Sequence, residues 1–167
     1  MTTNTSEGTH VYRVHIKATP EAIWKAITDP EWNGKYGYGA PSEYELKPGG
    51  KYRVAATDAM KQHGASDVLI DGEVIESDPP RKLVQTWRAL WDPEVVAEGF
   101  RRVTWEIEPG LGGVTSLTLT HELQDAPKTA AQVSGQIKQA GGGWSFILSD
   151  LKTLLETGKS FEGWCAA

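Results

Sequence analysis

The chain has 167 residues, enough for one domain of ordinary size with a sizeable hydrophobic core. Apolar residues make up 39% and charged residues 23%, so the composition is that of a globular protein, and the formal net charge of −5 argues against a nucleic-acid-binding surface, which usually carries a basic excess. No run of about 18 apolar residues occurs, so the sequence predicts no membrane span.

Both ends of the sequence are predicted to lie outside the domain, which we place at residues 10–158. Residues 1–9 are polar and lack the apolar core of a signal peptide, so we expect a disordered tail and a cytoplasmic protein. Residues 159–167 are expected to form a C-terminal tail that exposes the thiol of Cys165. A lone cysteine cannot form an internal disulfide, which also fits the cytoplasm.

The first predicted elements are a strand and two short helices. Residues 10–18 alternate apolar and polar side chains, as a half-buried strand does. Thr19 and Pro20 then begin a helix, because threonine is a common N-cap and proline suits the first helical position. Pro30 ends that helix, because the residue before a proline is pushed out of the α region. A second short helix or turn is predicted over residues 30–36.

Six further strands joined by short turns are predicted next. They cover residues 42–46, 51–57, 67–77, 82–91, 100–108 and 114–123. Turn sequences such as Lys47-Pro48-Gly49-Gly50 separate consecutive strands, and such successive hairpins favour one antiparallel sheet. A weaker helix is predicted over residues 128–140.

The last predicted element is an amphipathic helix from about Gly143 to Gly158. Its apolar residues recur at a 3.6-residue period: Trp144, Ile147, Leu148, Leu151, Leu154 and Leu155. A long sheet with one face covered by a single helix must curl around that helix. The predicted fold is therefore an α+β helix-grip, in which a curved antiparallel sheet of about seven strands wraps around the long C-terminal helix. Two short helices follow strand one, and a cavity lies between helix and sheet.

Four stretches also occur in a recognisable order. They are A-T-P-E-A-I-W at 18–24 with T-D-P at 28–30, P-G-G-K-Y at 48–52, G-E-V-I at 72–75 with D-P-P-R-K-L-V-Q-T-W at 78–87, and Gly143-Trp144 with the leucines of the last helix. Together they resemble the SRPBCC (START-like, helix-grip) superfamily, in the branch named after the activator of the heat-shock protein 90 ATPase. The resemblance implies the helix-grip fold and a ligand cavity. Members bind lipids and other apolar molecules, cyclise polyketides or act with chaperones.

Eight residues on inward faces of the predicted strands and helix are candidates for ligand binding. They are Tyr52, Val74, Trp87, Arg101, Trp105, His121, Trp144 and Leu148. The tryptophans fit either an aromatic wall for a planar ligand or ordinary core packing. His121 fits a general base, a ligand contact or a core histidine hydrogen-bonded to a neighbour. Arg101 fits either a partner for an acidic ligand group or a side chain that extends into water.

The preferred functional hypothesis is a non-catalytic protein that binds a small hydrophobic molecule, aromatic or lipid-like, in the cavity. One alternative is an enzyme resembling polyketide cyclases or hydrolases, with His121 as its candidate catalytic residue. Another is a protein-interaction module with a chaperone partner. The four histidines do not have the spacing of metal ligands, and the sequence has no phosphate loop or dinucleotide motif, so no metal or cofactor is expected. An exposed sheet edge would make a homodimer plausible.

Overall fold

A computed structural model describes residues 2–6, 8–136 and 142–161 of the chain. Within these ranges the chain forms eight β-strands and six α-helices. Strands β1 to β8 span Thr2–Ser6, Thr9–Ile16, Ser42–Tyr44, Lys51–Ala55, Val68–Asp78, Lys82–Ala89, Arg101–Pro109 and Thr115–Glu122. Helices α1 to α6 span Pro20–Thr28, Pro30–Asn33, Asp58–Gln62, Pro93–Glu98, Pro127–Val133 and Gly143–Thr157.

The described strands form one antiparallel sheet in the order β1-β2-β8-β7-β6-β5-β4-β3. Strands β3 to β8 follow one another as neighbours, and β2 inserts beside β8. Tyr12 and Trp105 both lie opposite Leu119, and Leu83 lies opposite Trp105, so buried side chains share one face across four strands. The predicted antiparallel sheet of about seven strands is thereby confirmed for β2 to β8.

Strand β1 is a difference from the sequence prediction. Its residues, Thr2–Ser6, pair with β2, and Thr5 lies opposite His10. Most of the tail predicted to be disordered is therefore an edge strand in this structure. The sequence gives no sign of it because the hydrogen bonds of a strand come from the backbone, and a polar edge strand need not show an alternating apolar pattern.

Two irregularities interrupt the regular pairing of the sheet. The register shifts between Val54 and Ala55 in β4, and again between Val74 and Glu76 in β5. Such bulges increase the local twist and bend of a strand. Between them, Gly72 allows a close approach of β6, because an added Cβ would lie 2.0 Å from the carbonyl oxygen of Thr86.

Helix α6 lies against the apolar face of the sheet, as the helix-grip prediction requires. Four residues of the predicted stripe are buried there: Trp144, Leu148, Leu151 and Leu154. The helix also contacts β2, where Lys152 Nζ donates to the backbone oxygen of His15 at 2.6 Å. Gly158, at a φ of 81°, ends α6 with its N–H bonded to Leu154. The α+β helix-grip prediction is confirmed.

The shorter helices agree with the sequence in part. Thr19 caps α1 by accepting a hydrogen bond from Ala22, and Pro20 is the first helical residue, as predicted. Helix α5 is shorter than the predicted helix at 128–140, and residues 137–141 lie outside the described part of the chain. Cys165 and most of the predicted C-terminal tail also lie outside it. Within the described ranges, none of the helices combines the length and apolar character of a membrane span.

Candidate functional site

A cavity of about 440 Å³ lies between the first turns of α6 and the part of the sheet formed by β3 to β7. Its volume falls within the range of small-molecule sites, about 300–1,000 Å³. Aromatic side chains dominate the walls. They are Tyr36, Tyr38, Tyr44, Tyr52, Trp87, Trp91, Trp105 and Trp144. Trp91 is half exposed, whereas Trp87, Trp105 and Trp144 are buried, so the cavity extends from the surface into the core.

The described part of the cavity wall carries no charged side chain. No Asp, Glu, Lys, Arg or His is present among the described residues that line it. Burial raises the pKa of the Tyr36, Tyr44 and Tyr52 phenols above the usual value, so these groups stay protonated at neutral pH. The polar side-chain groups of the described lining are therefore hydroxyl, amide and indole groups.

Gln85 organises a polar cluster beside this cavity. It is almost fully buried, and its Oε1 accepts hydrogen bonds from the Tyr44 hydroxyl at 2.9 Å and from Trp105 Nε1 at 3.1 Å. A buried amide without partners would be costly, so these bonds explain how an inward-facing glutamine is tolerated among apolar neighbours. They also fix the orientation of two aromatic side chains of the cavity wall.

Tyr52 lies next to this cluster, with its ring centroid 4.7 Å from that of Tyr44. Burial raises the pKa of Tyr52, whereas four polar side chains near the phenol oxygen oppose that shift: Gln85, Tyr44, Ser42 and Trp87. Trp87 Nε1 is buried and makes no hydrogen bond of ordinary geometry with a described residue, although its dipole still acts on Tyr52. Neither hydrogen bond to Gln85 Oε1 uses the Tyr52 proton.

A loop after α2 closes one side of the cavity, and Asp150 of α6 holds it in place. The buried carboxylate accepts from the backbone N–H of Gly37 at 2.8 Å and from that of Phe161 at 2.6 Å. Gly37 has a φ of 65°, a conformation that favours glycine, and Ile147 of α6 packs against it. The loop thereby places Tyr36 and Tyr38 in the cavity wall.

Asn33 fixes the other end of this loop. Its Oδ1 accepts from the N–H of Ser42 at 2.7 Å, and its Nδ2 donates to the carbonyl oxygens of Ser42 at 2.8 Å and Ile27 at 3.1 Å. A buried asparagine with three backbone partners joins α1, α2 and β3. Sequence reasoning missed Asn33 and Asp150, because each stands alone on a polar face. It also missed Tyr36 and Tyr38, which the glycine–tyrosine alternation at 36–39 could have indicated.

The structure separates the eight predicted ligand-binding residues into two groups. Tyr52, Trp87, Trp105 and Trp144 line the cavity. Val74 and Leu148 are fully buried core residues outside its lining. Arg101 lies at the start of β7 and is also outside the lining, where its guanidinium donates to the backbone oxygens of Glu98 and Gln124. Its side chain therefore pairs with backbone, an option that the sequence interpretation did not include.

His121, the eighth candidate, is fully buried and does not line the cavity. Its Nδ1 accepts a hydrogen bond from Trp144 Nε1 at 3.0 Å, and its ring lies edge-on to Trp87. Burial lowers the pKa of His121 to about 3, so the imidazole is neutral at physiological pH. This is the arrangement of a core histidine that supports a cavity-lining tryptophan, and it gives no support to a general base in the cavity.

Within the described part of the chain, no group of three or more His, Cys, Asp or Glu side chains is arranged to hold a metal ion.

Three solved structures share the fold. Protein MLL2253 from Mesorhizobium loti is 22% identical, with a TM-score of 0.65 over 88% of this chain and 96% of that chain. PFC0360w, an HSP90 activator from Plasmodium falciparum, is 22% identical, with a TM-score of 0.62 over 88% and 95%. The Aha1 dimer from Colwellia psychrerythraea is 18% identical, with a TM-score of 0.65 over 91% and 98%. At these identities the likeness establishes the fold alone.

The comparison with curated protein sequences gave no match. A family model, in contrast, matches nearly the whole domain, from the end of β2 to the last turn of α6. This match confirms the branch of the SRPBCC superfamily that the sequence motifs indicated. The chain therefore belongs to the Activator of Hsp90 ATPase homolog 1-like protein family, whose model matches residues 17–156.

Proposed function

We propose that the protein binds a small hydrophobic molecule in the cavity between α6 and the sheet. The observation that carries this proposal is the cavity itself, with about 440 Å³ of space, aromatic walls and no charged side chain among its described lining residues. Apolar pockets of this kind with a few placed polar groups are typical of small-molecule sites. The cytoplasmic location expected from the sequence stays a prediction.

A cavity-filling substitution tests this proposal. Ile147 of α6 lines the cavity, so Ile147→Trp should occupy part of the space and weaken binding of an apolar fluorescent probe by at least about tenfold, since the probe loses buried apolar area. Ile75→Trp is the matched control, because Ile75 is an exposed residue outside this cavity. Titration with the probe measures its affinity for each variant, and displacement of the bound probe by lipids from a cell extract then tests natural ligands. Equal probe binding by the two variants and the wild type would remove the cavity as the site.

A chaperone-directed role is the second candidate function. The observation in its favour is the family match over residues 17–156, together with the shared fold of a Plasmodium protein described as an HSP90 activator. Its test is the ATPase rate of purified heat-shock protein 90 with increasing amounts of this protein. A rate that stays constant up to a large molar excess would argue against this role. A cyclase or hydrolase reaction at His121 is not proposed, because that side chain is buried away from the cavity.

A homodimer is part of the proposed assembly. The described sheet ends in β1 on one side and the three-residue β3 on the other, and a relative with this fold is a dimer. Unpaired backbone groups at a sheet edge can pair with a second copy. Light scattering coupled to size-exclusion chromatography measures the mass directly, and a monomer mass at micromolar concentration would contradict this assembly.

A further inference from the structure

We propose that the cavity selects uncharged aromatic molecules that carry a hydrogen-bond acceptor, such as a ketone oxygen, and that the Tyr52 hydroxyl donates to this acceptor. This inference rests on the proposed function, because it specifies the class of ligand for the same cavity. Three features carry it. They are the neutral lining, the donors left over by the Gln85 cluster, and the arrangement of the aromatic rings.

The neutral lining disfavours ionised ligands. A carboxylate or ammonium group that leaves water for an apolar cavity without a partner costs several kcal/mol of binding free energy. The described lining offers no side chain of opposite charge. Arg101, which could have served a carboxylate, is outside the lining and donates to two backbone carbonyl groups. Fatty acids and other anions therefore fit this cavity poorly.

The donors of the polar cluster favour a ligand with an acceptor. Tyr44 and Trp105 already donate to Gln85 Oε1. The Tyr52 hydroxyl lines the same cavity beside Gln85, Tyr44, Ser42 and Trp87, and none of the hydrogen bonds of ordinary geometry among the described residues uses its proton, which can therefore be donated to an acceptor in the cavity. The N–H of Trp87, buried in the same region, has no hydrogen-bond partner among the described residues. A ligand oxygen would satisfy donors that the protein itself leaves open.

The rings around this region favour an aromatic body for the ligand. Trp105 and Trp144 meet edge to face, with centroids 5.7 Å apart, and Tyr44 lies tilted against Tyr52. Aromatic rings prefer offset or edge-to-face contacts, and a ligand ring could make the same contacts with these side chains. Because burial raises the pKa of Tyr44 and Tyr52, both phenols stay protonated donors throughout the neutral range.

A matched set of three ligands tests the inference by isothermal titration calorimetry. Benzophenone carries a ketone between two phenyl rings, diphenylmethane replaces the ketone by a methylene group, and diphenylacetate adds a charge. We expect the wild type to bind benzophenone about tenfold more tightly than diphenylmethane, the ratio that one net hydrogen bond supplies. We expect diphenylacetate to bind more weakly than both. Photocrosslinking with benzophenone should label peptides that line the cavity.

Two tyrosine variants assign the effect to one hydroxyl. Tyr52→Phe keeps the ring and removes this donor, so the preference for benzophenone over diphenylmethane should fall well below the wild-type ratio while diphenylmethane binds as before. Tyr36→Phe is the control, because Tyr36 lines the same cavity but its hydroxyl donates to the backbone oxygen of Ala26 at 2.8 Å. This control should keep the preference even if it lowers the melting temperature. Circular dichroism of both variants verifies the fold.

The possible outcomes separate this inference from the proposed function. If benzophenone and diphenylmethane bind equally, or if Tyr52→Phe retains the wild-type ratio, the donor role of Tyr52 is wrong and cavity binding stands. If diphenylacetate binds most tightly, the selection of neutral ligands is wrong. If none of the three ligands nor the apolar fluorescent probe binds, the proposed function itself is overturned together with this inference.

Discussion

At the scale of single residues, buried polar groups define this cavity as much as the aromatic rings do. Gln85, Asn33 and Asp150 are all buried, and each is bonded to groups on other elements. A buried polar group that loses its partner costs about 1–3 kcal/mol, so these residues specify one arrangement of the wall. His121 belongs to the same class, because it accepts from Trp144.

His121 should make the folded state sensitive to acid. Its pKa is lowered from 6.5 to about 3 by burial, so the unfolded chain binds a proton between these values that the folded chain does not. Stability is therefore full above the unfolded pKa and falls as the pH decreases from 6.5 towards 3. At pH 5 the loss from this one group amounts to about 2 kcal/mol.

Urea unfolding of the wild type and His121→Asn across pH 4.5 to 7 measures this effect, and we expect the variant to show a flatter profile. Asparagine keeps an acceptor for Trp144 and cannot gain the proton. His10, which lies opposite His121 in the sheet, also has a pKa lowered by burial, so His10→Asn is the control for the contribution of His10 to the acid sensitivity. Parallel pH profiles for wild type and His121→Asn would show that the imidazole is not the acid-sensitive group.

At the scale of elements, the start of α6 depends on glycine. Gly143 has a φ of 63°, its N–H donates to the Tyr38 hydroxyl at 3.1 Å, and an added Cβ would lie 2.2 Å from the carbonyl oxygen of Val133. The end of α5, the start of α6 and the cavity loop therefore meet at one backbone position. The helix can reach the cavity wall there only because no side chain intervenes.

Replacement of Gly143 should destabilise the protein more than replacement of Gly158 at the other end of α6. Gly143→Ala combines a positive φ with a backbone clash, so we expect a loss of about 3 kcal/mol or more in the free energy of unfolding. Gly158→Ala is the control, since its φ is 81° but no atom lies within 4 Å of an added Cβ, and about 1 kcal/mol is expected. Chemical denaturation measures both, and equal losses would mean that the contact at Val133 relaxes freely.

At the scale of the whole molecule, the sheet has two halves with different packing. Strands β2, β7 and β8 present fully buried residues such as Ile16, Val103 and Leu117 to the core. Strands β3 and β4 instead line the cavity through Ser42, Tyr52 and their neighbours, whereas β7 contributes only Trp105 to the described lining. Side chains in the wall of a cavity lack packing contacts on one side, so fewer contacts stabilise this half of the sheet.

Hydrogen exchange should therefore be uneven across the sheet. We expect backbone amides of β3 and β4 to exchange through local opening at a lower free energy than those of β7 and β8. Exchange measured by mass spectrometry with and without a bound apolar ligand checks this, because a ligand in the cavity should slow β3 and β4 selectively. Equal protection of both halves without ligand would contradict the proposed difference in packing.

The sequence by itself determined the elements that local rules control. The alternation of β2 and β8, the cap at Thr19, the apolar stripe of α6 and its stop at Gly158 all follow from periodicity and backbone preference, and together they predicted the helix-grip. The family motifs pointed to the same fold. Tyr52, Trp87, Trp105 and Trp144 were predicted on the correct face for the same reason, since strand and helix periods assign faces.

Only the tertiary structure decided which inward-facing residues reach the cavity. Val74, His121 and Leu148 share the inner layer with Tyr52, but the bend of the sheet and the position of α6 bury the first three in the core. Depth within one face depends on the distance between helix and sheet, which no periodicity encodes. Gly37, which Asp150 binds, and Tyr44, which Gln85 binds, lie far away along the chain, so these roles appear only when the elements pack.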